Sequence, residues 1–141
     1  MLENALTEAT KFFVNDVLGS NADIFESCVL GHAWAASITT KGDKECKITV
    51  YIADKSLTKM AFLFLYDENP DIETKTDLIK EIANLIVGKA KVLASEHNMS
   101  FDIITPTFEG DKERVCEKAD KSINFLFEEE VFSITAHKAT S

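Results

Sequence analysis

Leu2, Leu6, Ala9, Phe13 and Val17 recur at intervals of three and four, and Gly19 follows as a stop, so the first stretch is predicted to be an amphipathic surface helix from Leu2 to Leu18. Ala33 to Thr40 is short and rich in small and β-branched residues, and Lys41-Gly42-Asp43-Lys44 adds turn chemistry, which predicts a hairpin. Its second arm alternates, with Cys46, Ile48, Val50 and Ile52 on a buried face and Lys47, Thr49 and Tyr51 on a wetter one. Asp54 or Ser56 can cap a short helix running through Met60 to about Tyr66; a buried strand over Phe62 to Leu65 is the alternative. Asn69-Pro70 breaks the chain, and a long helix is predicted from about Glu73 to His97. The remainder reads as strands over Phe101 to Thr107, Ile123 to Glu128 and Val131 to His137. The charged run Gly110 to Lys121 takes no element from its pattern, and Lys112 to Lys121 reads as a solvated loop. Helices grouped against an antiparallel sheet predict an α+β fold, expected as a single domain over residues 1–141.

Composition narrows the function. With 141 residues, 45% of them hydrophobic, the chain can fill one sizeable core. The longest apolar run, Met60 to Tyr66, is far short of the roughly 18 residues that a spanning helix requires. Glu3 and Glu8 stand near the start, where an export signal would be basic and then apolar, so a cytoplasmic protein is expected. Fifteen Lys and Arg against twenty-four Asp and Glu give a net charge of −9, which repels nucleic acid. Arg114 is the single arginine, so the chain cannot build the arginine forks that clamp free phosphate. Cys28, Cys46 and Cys116 are odd in number and widely spaced, which suggests reduced thiols, with Cys46 packed in the core. His32, His97 and His137 share no ligand spacing with each other or with the cysteines, so no metal site is expected.

The long helix carries the informative pattern. At about 100° per residue, Ile79, Ile82, Ala83, Ile86, Ala90 and Leu93 fall on one side, the core face. Asp77, Glu81, Asn84 and Gly88 fall within about 60° of one another on the opposite side. Most polar stripes are solvated faces. This one is made of poor helix choices: like charges four apart, unfavourable by about 0.2–0.5 kcal/mol, a mediocre helix former at Asn84, and a mid-helix glycine costing up to about 1 kcal/mol. A carboxylate can hold a lysine, a carboxamide can orient a water, and a glycine removes the side chain that would keep a partner away.

Asp77, Glu81, Asn84 and Gly88 match the signature of the chemotaxis phosphatases CheC and CheX, and here the sequence resembles that family. Asp102-Ile103-Ile104-Thr105-Pro106-Thr107 is similar to the Thr-Pro segment that follows in the family. Helix one repeats the Asn-to-Gly spacing at Asn15 and Gly19 but holds Phe12 where the glutamate belongs. A single complete motif resembles CheX, which implies a homodimer; an edge left by a strand such as Val131 to His137 would favour the same outcome. Ala83 stands where glycine is common in the family, and Leu85-Ile86-Val87 is bulkier than usual.

The resemblance implies hydrolysis of the aspartyl phosphate on a phosphorylated CheY-like response regulator. No cofactor of the chain's own is implied, since the regulator would bring the phosphoryl group, a Mg²⁺ and a lysine. Asn84 would orient the attacking water, Glu81 would pair with the regulator's lysine, Asp77 would touch the partner's rim, and Gly88 would allow close approach. A binding module that recognises a receiver domain or a chemoreceptor-array partner without hydrolysis is the second reading. A third, a flagellar-switch component, is disfavoured because no stretch remains for a switch-binding domain.

Overall fold

The computed structural model describes residues 2–21, 23–25, 31–43, 45–114, 121–127 and 130–138. Among the described residues three α-helices, α1 (Leu2–Phe12), α2 (Asp54–Leu65) and α3 (Ile72–Ser95), combine with seven strands: β1 (Asp23–Phe25), β2 (Gly31–Gly42), β3 (Cys46–Ile52), β4 (Phe101–Ile103), β5 (Thr107–Arg114), β6 (Lys121–Phe127) and β7 (Glu130–Lys138). All strand pairs are antiparallel, in the order β1-β6-β7-β3-β2-β4, with β5 beside β4 along the same edge of β2. The fold is α+β, as the sequence pattern predicts. Cys28 and Cys116 lie outside the described residues.

The first helix buries Leu2, Leu6, Ala9 and Phe13, and it widens at its end into a π-helical turn over Phe13–Val17. The β2–β3 hairpin is in register from Trp34 opposite Ile52 to Thr39 opposite Lys47. On β3 the alternation holds for Cys46, Ile48, Val50 and Ile52, all buried, but Thr49 on the other face is buried as well. That face is lined with small polar groups, including Ser37, Thr135 and Ser133 on neighbouring strands, which lets close packing replace apolar character.

Between β3 and α3 the pattern allows helix or strand, and the chain is helical from Asp54 to Leu65. Neither expected side-chain cap forms: Ala53 is the N-cap residue, and the Asp54 carboxylate is used elsewhere. Tyr66 ends the helix in the left-handed conformation, and the buried Pro70 leads into Asp71, whose carboxylate accepts the Thr74 amide at 2.8 Å and caps α3. That bond holds the Asp71 carboxyl below its ordinary range. At the other end Asn98 is left-handed and the Met99 amide returns to the Ala94 carbonyl at 3.0 Å, closing the helix with a Schellman-type turn.

Three expectations about the strands are corrected. The single strand expected over Phe101 to Thr107 is β4 over Phe101–Ile103 and the first residue of β5 at Thr107, with Ile104, Thr105 and Pro106 in neither. The charged run Lys112 to Lys121, expected as a solvated loop, is strand through Arg114, because Gly31 to Ala35 of β2 pair with Arg114 to Gly110, and Lys121 opens β6; residues 115–120 lie outside the described residues. Val131 to His137 does not leave an edge: β7 lies between β3 and β6, paired on both sides. Among the described residues the sheet instead ends at β1 and at the β4–β5 side.

Gly42 is required by both its backbone conformation and its surroundings. Gly42 sits at φ +121°, and a Cβ there would stand 2.9 Å from the Ser100 carbonyl oxygen, at the place where Asp43 and Ser100 exchange hydrogen bonds of 2.9 and 2.8 Å. Gly42→Ala is therefore expected to destabilise by about 1–3 kcal/mol, lowering the thermal midpoint by roughly 3–10 °C. A melting curve matching the parent would show that the turn relaxes freely.

Candidate functional site

The long helix is held by its apolar side. Leu78, Ile79, Ile82, Ala83, Ile86, Val87, Ala90 and Ala94 are buried in a core shared with α1, β2 and β3. Burying each large aliphatic side chain is worth about 1.5–3 kcal/mol, so the rotation of α3 about its axis is fixed by many contacts at once. The residues expected on its core face are buried, and Leu93 is partly buried against them.

The start of α3 has a polar anchor that sequence spacing does not reveal. Asp54 Oδ1 on α2 accepts from Trp34 Nε1 on β2 at 2.9 Å and from Lys75 Nζ on α3 at 2.8 Å. The Lys75 ammonium also stands 5.8 Å from the Trp34 ring centroid. Hydrogen bonding from Lys75 holds the Asp54 carboxyl below its ordinary range, assisted by Trp34 and opposed by partial burial. The partners are 20 and 21 residues apart in the chain, so no local motif signals them.

With the core face fixed, the opposite side of α3 is outward. Asp77, Glu81 and Asn84 are exposed, and Gly88 is partly exposed. All four expected residues thus lie on one face. Glu81 and Asn84 are one turn apart, which places their Cβ atoms about 5–6 Å from each other. Asp77 stands 3.9 Å from Lys80 in a solvent-exposed pair; among the described residues Glu81 and Asn84 engage no hydrogen-bond or ion-pair partner. The bulkier Ile86 and Val87 point into the core, so their size does not obstruct the stripe.

A Cβ built at Gly88 meets nothing within 4 Å, and the backbone there is not left-handed. The fold therefore gives no packing or conformational reason for glycine at this position. Gly88→Ala is expected to raise stability by up to about 1 kcal/mol, roughly 3 °C in thermal midpoint, while weakening any partner that lies against the helix. A variant that gains stability and keeps full partner affinity would remove Gly88 from the contact.

Among the described residues no helix is long and apolar enough to cross a membrane, and no group of three or more His, Cys, Asp or Glu is placed to hold a metal ion.

A carboxylate and a carboxamide exposed side by side on a helix held by its core face are groups chemically suited to meet polar groups of another macromolecule. The chain belongs to the chemotaxis phosphatase CheX family, whose model matches residues 34–128. Solved structures agree in fold. A CheX from Desulfovibrio desulfuricans is 19% identical with a TM-score of 0.81, over 98% of this chain and 99% of that one. A CheX from Vibrio vulnificus is 15% identical with a TM-score of 0.81, over 96% and 95%. The Borrelia burgdorferi complex of CheX with CheY, BeF3 and Mg²⁺ matches at 15% identity and a TM-score of 0.74, over 96% and 97%. No curated protein matches the sequence.

Proposed function

We propose that this protein hydrolyses the aspartyl phosphate of a CheY-type receiver domain. The observation that carries the reading is the pairing of Glu81 and Asn84 on one outward line of α3, one turn apart and without internal partners among the described residues. Family membership and a structural relative that is complexed with CheY, BeF3 and Mg²⁺ support it, since fluoroberyllate stands in for a phosphoryl group.

The chemistry suits a surface with so few groups. An acyl phosphate already has a good leaving group, and phosphoryl transfer is accelerated mainly by positioning and charge stabilisation. The receiver would bring the phosphoryl group, Mg²⁺ and an active-site lysine, which removes the need for cations on a chain of net charge −9. Glu81 would receive the lysine ammonium and set the register. Asn84 would then accept a hydrogen bond from a water through its side-chain oxygen and hold it in line with the phosphorus. As the water oxygen bonds to phosphorus, the bond from phosphorus to the aspartate oxygen breaks. Free carboxylate, inorganic phosphate and a proton result. Asp77 would touch the receiver's rim, and Gly88 would let its surface close on the helix.

The direct test mixes equimolar protein with a phosphorylated receiver in Mg²⁺ and follows loss of the phosphoryl group. Acceleration over the receiver alone is expected. Tight binding without acceleration would favour the binding-module reading.

We further propose a homodimer, in keeping with the single complete motif. Light scattering at micromolar concentration should give about twice the 15.7 kDa chain mass. A mass near one chain would contradict it.

A further inference from the structure

A line of four residues, one of them glycine, provides little contact area. Specific protein complexes engage about 20–30 residues a side, with aromatic and apolar groups enriched near the centre. The remaining area must come from surface next to the stripe.

At about 100° per residue, Glu73 and Val92 fall within about 50° of the stripe's axis and extend it at both ends. Glu73, Asp77 and Glu81 make the first half acidic. Beyond Gly88 the character changes. Val92 is 53% exposed beside the line, a β-branched apolar residue at a solvent-facing helix position where Lys, Arg, Gln or Glu would be a better helix former. Lys91 stands at the same angle as Glu73, across the axis from Val92, and pairs with Asp102 at 3.4 Å, while Lys89 lies farther round the helix.

Lys89 leads to the neighbouring helix. Its Nζ stands 4.4 Å from the ring centroid of Phe12, which is 40% exposed at the end of α1. Along α1 and the turn that follows it, Glu8, Phe12, Asn15 and Gly19 repeat the sequence spacing of Asp77, Glu81, Asn84 and Gly88, and all four are exposed. The α1 line keeps its outward placement, but an aromatic ring replaces the carboxylate and Asn15 falls within the π-helical turn. A ring cannot pair with a lysine as a carboxylate does; it can offer apolar area with a cation at its face.

We infer that Phe12, Lys89 and Val92 form an apolar ledge with a cationic rim along the α1–α3 seam, a second contact zone that selects which receiver domain docks. The inference rests on the reading of the stripe as a receiver-docking line. The occupant is the same receiver, through a surface segment that carries an exposed aliphatic or aromatic side chain beside a carboxylate. The acidic half of the line meets the receiver's cations and the ledge meets this segment, so the two halves admit one orientation. Phe12, Lys89 and Val92 act in selection and the reacting atoms lie elsewhere, so their loss weakens docking without changing the chemical step.

The test measures dephosphorylation of a receiver across a range of protein concentrations for the parent, Val92→Glu, Phe12→Ser and the control Tyr66→Ser. Tyr66 is 86% exposed at the end of α2 and lies off both lines. Val92→Glu and Phe12→Ser should each raise the half-saturating concentration about tenfold or more, with the maximal rate within twofold and Tyr66→Ser unchanged. If Phe12→Ser fails to fold, Val92→Glu decides alone, since glutamate is the better helix former at that exposed site. Unchanged half-saturation in Val92→Glu, or an equal rise in Tyr66→Ser, overturns the ledge and leaves the functional reading intact. A parent that neither binds nor accelerates any receiver overturns both.

Discussion

Asn84→Ala is expected to fold as well as the parent, bind a phosphorylated receiver within a few-fold of the parent's affinity, and dephosphorylate it about 10²–10³-fold more slowly. Folding is not at risk, because Asn84 is exposed on α3 and alanine has the better helix propensity. Binding is preserved because Glu81 and the surrounding surface remain. If Asn84 orients the attacking water as proposed, that contact is used mainly in the transition state, and losing it lowers the maximal rate without raising the half-saturating concentration. The measurement is a concentration series of the decay rate beside a separate affinity determination. A full rate from Asn84→Ala would take the residue out of the chemistry.

Glu81→Lys is expected to act on the other parameter. If the carboxylate receives the receiver's lysine, reversing its charge removes an ion pair and places two cations face to face, which should weaken binding by about 2 kcal/mol or more, roughly thirtyfold. Turnover falls with it at any subsaturating concentration. Glu81→Ala should show a smaller loss in the same direction. A Glu81→Lys protein that binds the phosphorylated receiver as tightly as the parent would refute the lysine contact. The stability of the fold is again a poor readout, since Glu81 is exposed on the same outward face.

The contrast between these two variants depends on features of α3 that are legible in its sequence. The helical period places Ile79, Ile82 and Ile86 inward, and the stripe of Asp77, Glu81, Asn84 and Gly88 follows on the opposite side by geometry alone. The stripe's poor helix choices signal a use, and the empty space beside Gly88 agrees that packing did not select the glycine. Where the pattern is local, as in α1 and the β2–β3 hairpin, it is also readable.

What is not legible depends on partners distant in sequence. Thr107 to Arg114 has one large apolar residue, Phe108, so it lacks the alternation of a half-buried strand; it is a strand because β2 supplies its hydrogen bonds. Val131 to His137 reads as a strand either way, and only the sheet order shows it to be interior. The π-helical turn over Phe13–Val17 shifts backbone bonds without changing composition. In the sequence Phe12 is only the residue that breaks a first motif, and its place beside Lys89 follows from the packing of two helices.

Turnover at low ratio separates an enzyme from a binder most directly. Protein at about one hundredth of the concentration of a phosphorylated receiver, in Mg²⁺, should clear the phosphoryl group from the whole pool, each molecule acting many times, and Asn84→Ala at the same ratio should leave the receiver near its own decay rate. A parent that binds the phosphorylated receiver while the pool decays no faster than the receiver alone would contradict the hydrolytic role of the stripe.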